Sequence, residues 1–175
     1  MFADPSANVA QLKLKPGMTV ADFGTGSGAY ALAVAKLLGT SGRVYAIDVQ
    51  KDLLDRVVGE ARSRGINNIE VVWGNVEKHG GSKLADNSVD TVIISNLLFQ
   101  STARYSIVLE VKRILKSGGE AVVIEWQDSF GGLGPAPAAV LPPAEAEQIF
   151  TEAGLSKAGG FRAGEHHWGL IFKKP

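Results

Sequence analysis

Residues 20 to 28 read Val-Ala-Asp22-Phe-Gly24-Thr-Gly26-Ser-Gly28, and Asp48 follows 20 positions after the last of these glycines. The chemistry this pattern supports is recognition. Three glycines let the backbone turn tightly and approach a ligand, and a helix that follows them presents its N-terminus to that ligand. A carboxylate closing the apolar run Val44 to Ile47 has the right reach for the two hydroxyls of a ribose. The ligand implied is a nucleoside-containing cofactor.

Positioning these groups requires strands and helices in alternation. Asp4-Pro5 predicts a short helix to about Leu14, because Asp caps exposed amides and Pro is tolerated in the first turn. A strand over 18–23 enters the glycine loop, and a helix over 28–38 leaves it, stopped by Gly39 and the Ser41-Gly42 turn. A second strand, 43–48, leads to a helix over about 51–63 with Leu53, Leu54, Val57, Val58 and Ala61 at helical spacing. A third strand follows over 69–73. The fourth, 89–95, is apolar on both faces beyond Asp90 and Thr91, which places it at the centre of a parallel sheet. A helix over about 102–115 and a Lys116–Gly119 turn lead to a fifth strand, 121–126. A loop of roughly fifteen residues, Gln127 to Leu141, then holds Gly131, Gly132, Gly134, Pro135 and Pro137, a length that marks mobile or functional segments. After a helix from Pro142 to about Ala153, strands over 157–161 and 166–172 are joined so closely that they must be antiparallel.

Composition narrows the function classes. With 175 residues and 45% hydrophobic content, one sizeable core and one domain over 1–175 are expected. Eighteen basic residues balance eighteen acidic ones, so no overall field draws nucleic acid or an anionic membrane to the surface. The absence of Cys removes thiolate metal sites and thiol nucleophiles and agrees with a cytoplasmic setting. Three His without a spaced partner cluster predict no metal site. The Met-Phe-Ala-Asp-Pro start has no signal-peptide character, and no apolar run approaches the ~18 residues of a membrane span.

Five parallel strands with helical crossovers and an antiparallel closing pair resemble the class I S-adenosylmethionine (SAM)-dependent methyltransferases. The resemblance rests on Asp22 to Gly28, Asp48, Gly74-Asn75-Val76, the strand from Ser88 to Leu98, and Leu115-Lys-Ser-Gly118-Gly119. The pattern is similar to the broad group that includes ubiquinone and menaquinone biosynthesis methyltransferases. It implies an α/β, Rossmann-like, doubly wound seven-stranded sheet in the order 3-2-1-4-5-7-6. It further implies a SAM site built from Asp22, Gly24, Thr25, Gly26, Gly28, Asp48, Val49, Gly74, Asn75, Val76, Ser95 and Asn96. Asp22 would receive the ammonium of SAM and Asp48 its ribose hydroxyls. Asn75 departs from the commoner Asp; its amide oxygen can still accept from the adenine amino group, and the Val76 amide can reach a ring nitrogen. Asn75 also reads as a plain turn residue.

Ligands in open α/β sheets sit beyond the carboxyl ends of the strands. That places Leu98, Phe99, Gln100 and Trp126 around the methyl acceptor, with Glu125, His166 and His167 as candidates for a base or substrate anchor. Neighbouring strand residues face opposite sides, so only one of the two histidines can point inward. A small-molecule acceptor is expected, and homo-oligomerisation stays open. The rivals are a SAM-binding protein without turnover, or a partner-dependent subunit, and a nicotinamide oxidoreductase. The last shares the G-x-G-x-x-A pattern of Gly24 to Ala29, but Asp22 lies inside what should be a purely apolar strand. This chain also lacks the Tyr-x-x-x-Lys pair of the short-chain dehydrogenase type, since Tyr30, Tyr45 and Tyr105 are followed four residues later by Val34, Val49 and Leu109.

Overall fold

The computed structural model describes residues 3–130, 132 and 134–175, so Met1, Phe2, Gly131 and Leu133 lie outside the described residues. The chain runs α1 (Pro5–Val9), β1 (Thr19–Phe23), α2 (Ala29–Leu38), β2 (Arg43–Asp48), α3 (Lys51–Ser63), β3 (Ile69–Trp73) and β4 (Val89–Ser95). It continues through α4 (Arg104–Ile114), β5 (Leu115–Trp126), α5 (Pro143–Glu152), β6 (Ser156–Arg162) and β7 (His167–Lys173). Short 3-10 turns occupy Leu98–Gln100 and Pro137–Ala139. The strands form one seven-stranded sheet in the order β3-β2-β1-β4-β5-β7-β6, as expected. All pairings are parallel except β5 with β7 and β6 with β7.

Both faces of the sheet are covered, which is why its central strands are apolar throughout. Ala21, Phe23, Val92, Ile94, Val123 and Trp168 pack against α4 and α5, while Val20, Val44, Ile93 and Ile124 pack against α1 and α2. Side chains alternate along each strand. Asp22 therefore shares the α2 face with Val20, and Glu125 shares the α4 face with Val123.

The departures from sequence expectation are local. The first helix stops at Val9 instead of continuing to Leu14: Asp4 Oδ1 accepts from the amides of Ser6 and Ala7, and the chain then turns so that Leu12 is buried. β5 begins at Leu115, six residues early. Val89 pairs with Leu115 and Thr91 with Glu120, so the Lys116–Gly119 turn survives as a bulge inside the strand, with Gly118 at φ 77°. Strand β7 starts at His167, leaving His166 in the connection before it. The Gln127 to Leu141 loop contains one short 3-10 turn, and its Gly134 lies against the Trp126 ring. Among the described residues no helix is long and apolar enough to cross a membrane.

Candidate active site

The first strand delivers a carboxylate where the chain leaves the sheet. Asp22 is 2% exposed and accepts a 2.7 Å hydrogen bond from Thr25 Oγ1, while the Thr25 amide donates to Ile47 O at 3.0 Å and stitches the glycine loop to β2. Burial pushes the Asp22 carboxyl up to about 7, opposed by the Thr25 hydroxyl and the Ala31 amide and assisted by the nearby Asp48 carboxylate. Gly28 caps α2 at φ 77°, and a Cβ there would lie 2.6 Å from Val57 Cγ2 on α3. Its role is to let α2 and α3 approach. At Gly24, φ 66°, a Cβ would crowd Leu97 at 3.0 Å.

Asp48 ends β2 with both oxygens tied to backbone: Oδ2 accepts from the Gly26 amide at 3.0 Å and Oδ1 from the Gln50 amide at 2.9 Å. A carboxylate has about four acceptor positions, so each oxygen retains capacity for a ligand hydroxyl. At the end of β3 the Gly74 amide donates to Asp48 O, and Asn75 Oδ1 accepts from the Glu77 amide at 3.0 Å. Asn75 thus closes an Asx turn. On the other side, the Tyr30 hydroxyl lies near Ser95 at the end of β4 and accepts from Asn8 Nδ2 at 2.8 Å; Asn8 also donates to Ala163 O. Burial raises the Tyr30 hydroxyl above its ordinary range, so it stays neutral.

These groups converge on a cavity of about 770 Å³ at the carboxyl ends of β1, β2 and β4. All of the residues assigned to cofactor binding from sequence line it except Gly28, which acts one layer behind. Tyr30, Ser27, Gln50, Leu53, Glu77, Leu97 and Ser101 also line it, and the sequence did not single them out as cofactor contacts. Tyr30 alone carried a usable signal, a polar ring in the first turn of the helix that follows the glycine loop. A groove of about 1050 Å³ between α2 and α3 contains neither Asp22 nor Asp48. Convergence of the two carboxylates therefore selects the smaller cavity.

A family model described as a methyltransferase domain matches residues 14–154. The chain belongs to the class I SAM-dependent methyltransferases. This methyltransferase domain is 32% identical over 114 residues to the ubiquinone/menaquinone biosynthesis C-methyltransferase UbiE of Klebsiella pneumoniae, covering 65% of the chain and 44% of that protein. It is also 32% identical over 111 residues to an arsenite methyltransferase of Aquipseudomonas alcaligenes, covering 61% of the chain and 32% of that protein. The matched segment thus spans less than half the length of these curated relatives. Among solved structures, a SAM-dependent methyltransferase from Aquifex aeolicus superposes with a TM-score of 0.87 at 29% identity, covering 98% of this chain and 89% of that one.

The structure separates the residues that the sequence grouped around a methyl acceptor. Gln100 lines the cavity, but Leu98 is fully buried in the core and Phe99 packs against it. Glu125 is also absent from the cavity wall, because alternation sends it to the α4 face. It is fully buried, and its Oε1 accepts from the amides of Leu97 at 2.9 Å and Leu98 at 2.6 Å. Burial pushes its carboxyl up to about 7 against the pull of the Leu98, Leu97 and Phe99 amides. Arg104 grips the other end of the same turn, donating to Leu98 O at 2.8 Å and to Phe99 O, with Glu145 behind it. Glu125 is accordingly an anchor of the loop after β4.

The two histidines differ for a reason that strand alternation does not cover. His166, outside β7, holds the Asp128 carboxylate with Nδ1 at 2.8 and 3.1 Å and stacks on Phe130. His167, 2% exposed, lies 4.2 Å from the Trp126 ring, on the opposite face of the sheet from Glu125. Neither of its ring nitrogens has a hydrogen-bond partner, and burial lowers its pKa, so the imidazole is neutral. None of Trp126, His166 and His167 lines the 770 Å³ cavity.

Proposed function

We propose that this domain, read as one unit over residues 1–175, binds SAM in the 770 Å³ cavity and transfers its methyl group to a small-molecule acceptor at the ends of β4 and β5. The observation that carries this reading is the pairing of the buried Asp22 with the backbone-held Asp48 across the glycine loop. The chain fits the cofactor at specific atoms. Asn96 Oδ1 is buried without a partner and its residue lines the cavity, and Asp22 is a desolvated carboxyl that a cation would stabilise. The cavity is within the ~300–1,000 Å³ of small-molecule sites.

When bound, SAM supplies a methyl group already activated by its sulfonium. Asp22 would hold the ammonium, the free lone pairs of Asp48 would accept from the ribose hydroxyls, and Asn75 with the Val76 amide would face the adenine. Ser95 and Asn96 would lie beside the methionine part, and Gln100, the acceptor-side candidate that lines the cavity, would face the acceptor. The protein's contribution is alignment, which in favourable intramolecular cases is worth roughly 7 to 11 kcal/mol. None of the three candidate bases lines the cavity: Glu125 is committed to the loop amides, His166 to Asp128, and His167, which is neutral, shares only its sheet face with Asp22. The lack of Cys agrees with a cytoplasmic setting.

Calorimetric titration with SAM, S-adenosylhomocysteine and NAD, on wild type and Asp48→Ala, tests the reading. Binding of SAM and S-adenosylhomocysteine that is lost in Asp48→Ala supports it. Retained binding with no label transfer to a panel of quinols, phenols and thiols would favour a non-catalytic or partner-dependent subunit, and binding of NAD instead would overturn the assignment.

A further inference from the structure

Behind the cavity, on α4, Glu110 is 1% exposed and surrounded by donors. Its Oε2 accepts from the Gly80 amide at 2.8 Å and from Arg113 Nε at 2.9 Å. Its Oε1 accepts from the Ser82 amide at 3.0 Å, from the Ser82 hydroxyl and from Arg113 Nη2 at 2.7 Å. Arg113 is held in turn by Asp86. Burial alone would push this carboxyl up, but Arg113, Ser82 and Gly80 outweigh it and hold it at about 2. None of these residues lines the cavity.

The two amides that Glu110 holds flank Gly81, and Gly81 has no space on its far side. A Cβ there would collide with the carbonyl oxygens of Asn75 and Lys78, and a Cβ on Gly74 would collide with the carbonyl of Gly81. The backbone of 80–82 is thus packed directly against the turn Gly74-Asn75-Val76, whose other side is cavity wall. The turn's own bonds, Lys78 N to Asn75 O at 3.1 Å and Gly81 N to Lys78 O at 2.9 Å, complete a short rigid path from α4 to the site.

We propose that Glu110 is a positioning residue for the cofactor site: through Gly80 and Ser82 it presses Gly81 against the Gly74-Asn75 backbone and so sets the turn that meets the adenine ring. The inference rests on the SAM reading for the identity of the ligand, though not for the mechanics of the turn. Gln at position 110 keeps the size of the side chain but replaces one acceptor oxygen with an NH₂ that faces other donors. The Gly80 and Ser82 amides cannot then both be held.

The test compares S-adenosylhomocysteine with S-inosylhomocysteine, which lacks the exocyclic amino group, by calorimetry on wild type and Glu110→Gln, with urea unfolding of both. Wild type is expected to prefer the adenine ligand by roughly tenfold and Glu110→Gln by less than about threefold, the size of one lost hydrogen bond. A merely structural role would lower stability and weaken both ligands equally, so an unchanged preference overturns the proposal, as does a wild type with no preference. If Glu110→Gln does not fold, Glu110→Asp, which keeps the charge but shortens its reach to the Gly80 and Ser82 amides, carries the same comparison. If wild type binds neither ligand, the SAM reading fails and the latch is judged by hydrogen exchange at the Lys78 amide. Faster exchange in the variant supports the latch, and unchanged exchange overturns it.

Discussion

Replacing Glu125 with Gln should change how stability depends on pH, and the sign follows from burial. Folding raises this carboxyl from 4.5 to about 7, with burial the largest cause and the Leu98, Leu97 and Phe99 amides and Arg104 pulling the other way. Between those values the folded chain keeps a proton that the unfolded chain has released. Stability from this group is therefore greatest below the unfolded pKa and falls as pH rises through the folded one. The full interval corresponds to on the order of 3 kcal/mol. Gln does not titrate, and any unpaired NH₂ it leaves beside the former Oε2 adds an offset that does not vary with pH. The unfolding free energy of wild type minus that of Glu125→Gln, from urea titrations, should fall by about 2 to 3 kcal/mol from about pH 5 to about pH 8. A difference that stays flat over this range would mean that Glu125 ionises as an ordinary carboxylate and would refute the burial argument.

Asp22 invites a complementary test, because a ligand ammonium beside it should favour the anion. Near neutral pH, SAM binding should release a fraction of a proton, seen as a dependence of binding enthalpy on the ionisation heat of the buffer, and Asp22→Asn should abolish that dependence. Gly28→Ala should destabilise by about 1 to 3 kcal/mol through both the left-handed φ and the clash with Val57. Val57→Ala should restore part of the loss in denaturant midpoint. Tyr30→Phe removes the buried acceptor for Asn8 Nδ2, so a loss of about 1 to 3 kcal/mol in unfolding free energy is expected. A stability equal to wild type would show that this contact adds nothing.

Much of the fold was legible because local patterns and global demands agree. Alternating apolar runs, glycine stops and the short 162–165 joint specify the strand count and the antiparallel close, and α3 and β2 fall on their predicted bounds. Asp22, the glycines and Asp48 stood out because a strand end, a turn and a strand end are each defined by local sequence. What the sequence could not decide is where side chains meet across elements. The extent of β5 depends on pairing with β4 and β7, which carries the strand past a glycine turn. Glu125 and His167 look alike as polar residues near strand ends, but alternation counted from the observed strand bounds sends them to opposite faces. Tyr30 reaches the site through contacts with Asn8 and Ser95, and Glu110 reaches it through Gly81; these partners are brought together only by the packing of α1, α2 and α4 on the sheet. Periodicity and turn chemistry act over a few residues and can be read in order, whereas burial and hydrogen bonding between distant segments exist only once the sheet has closed.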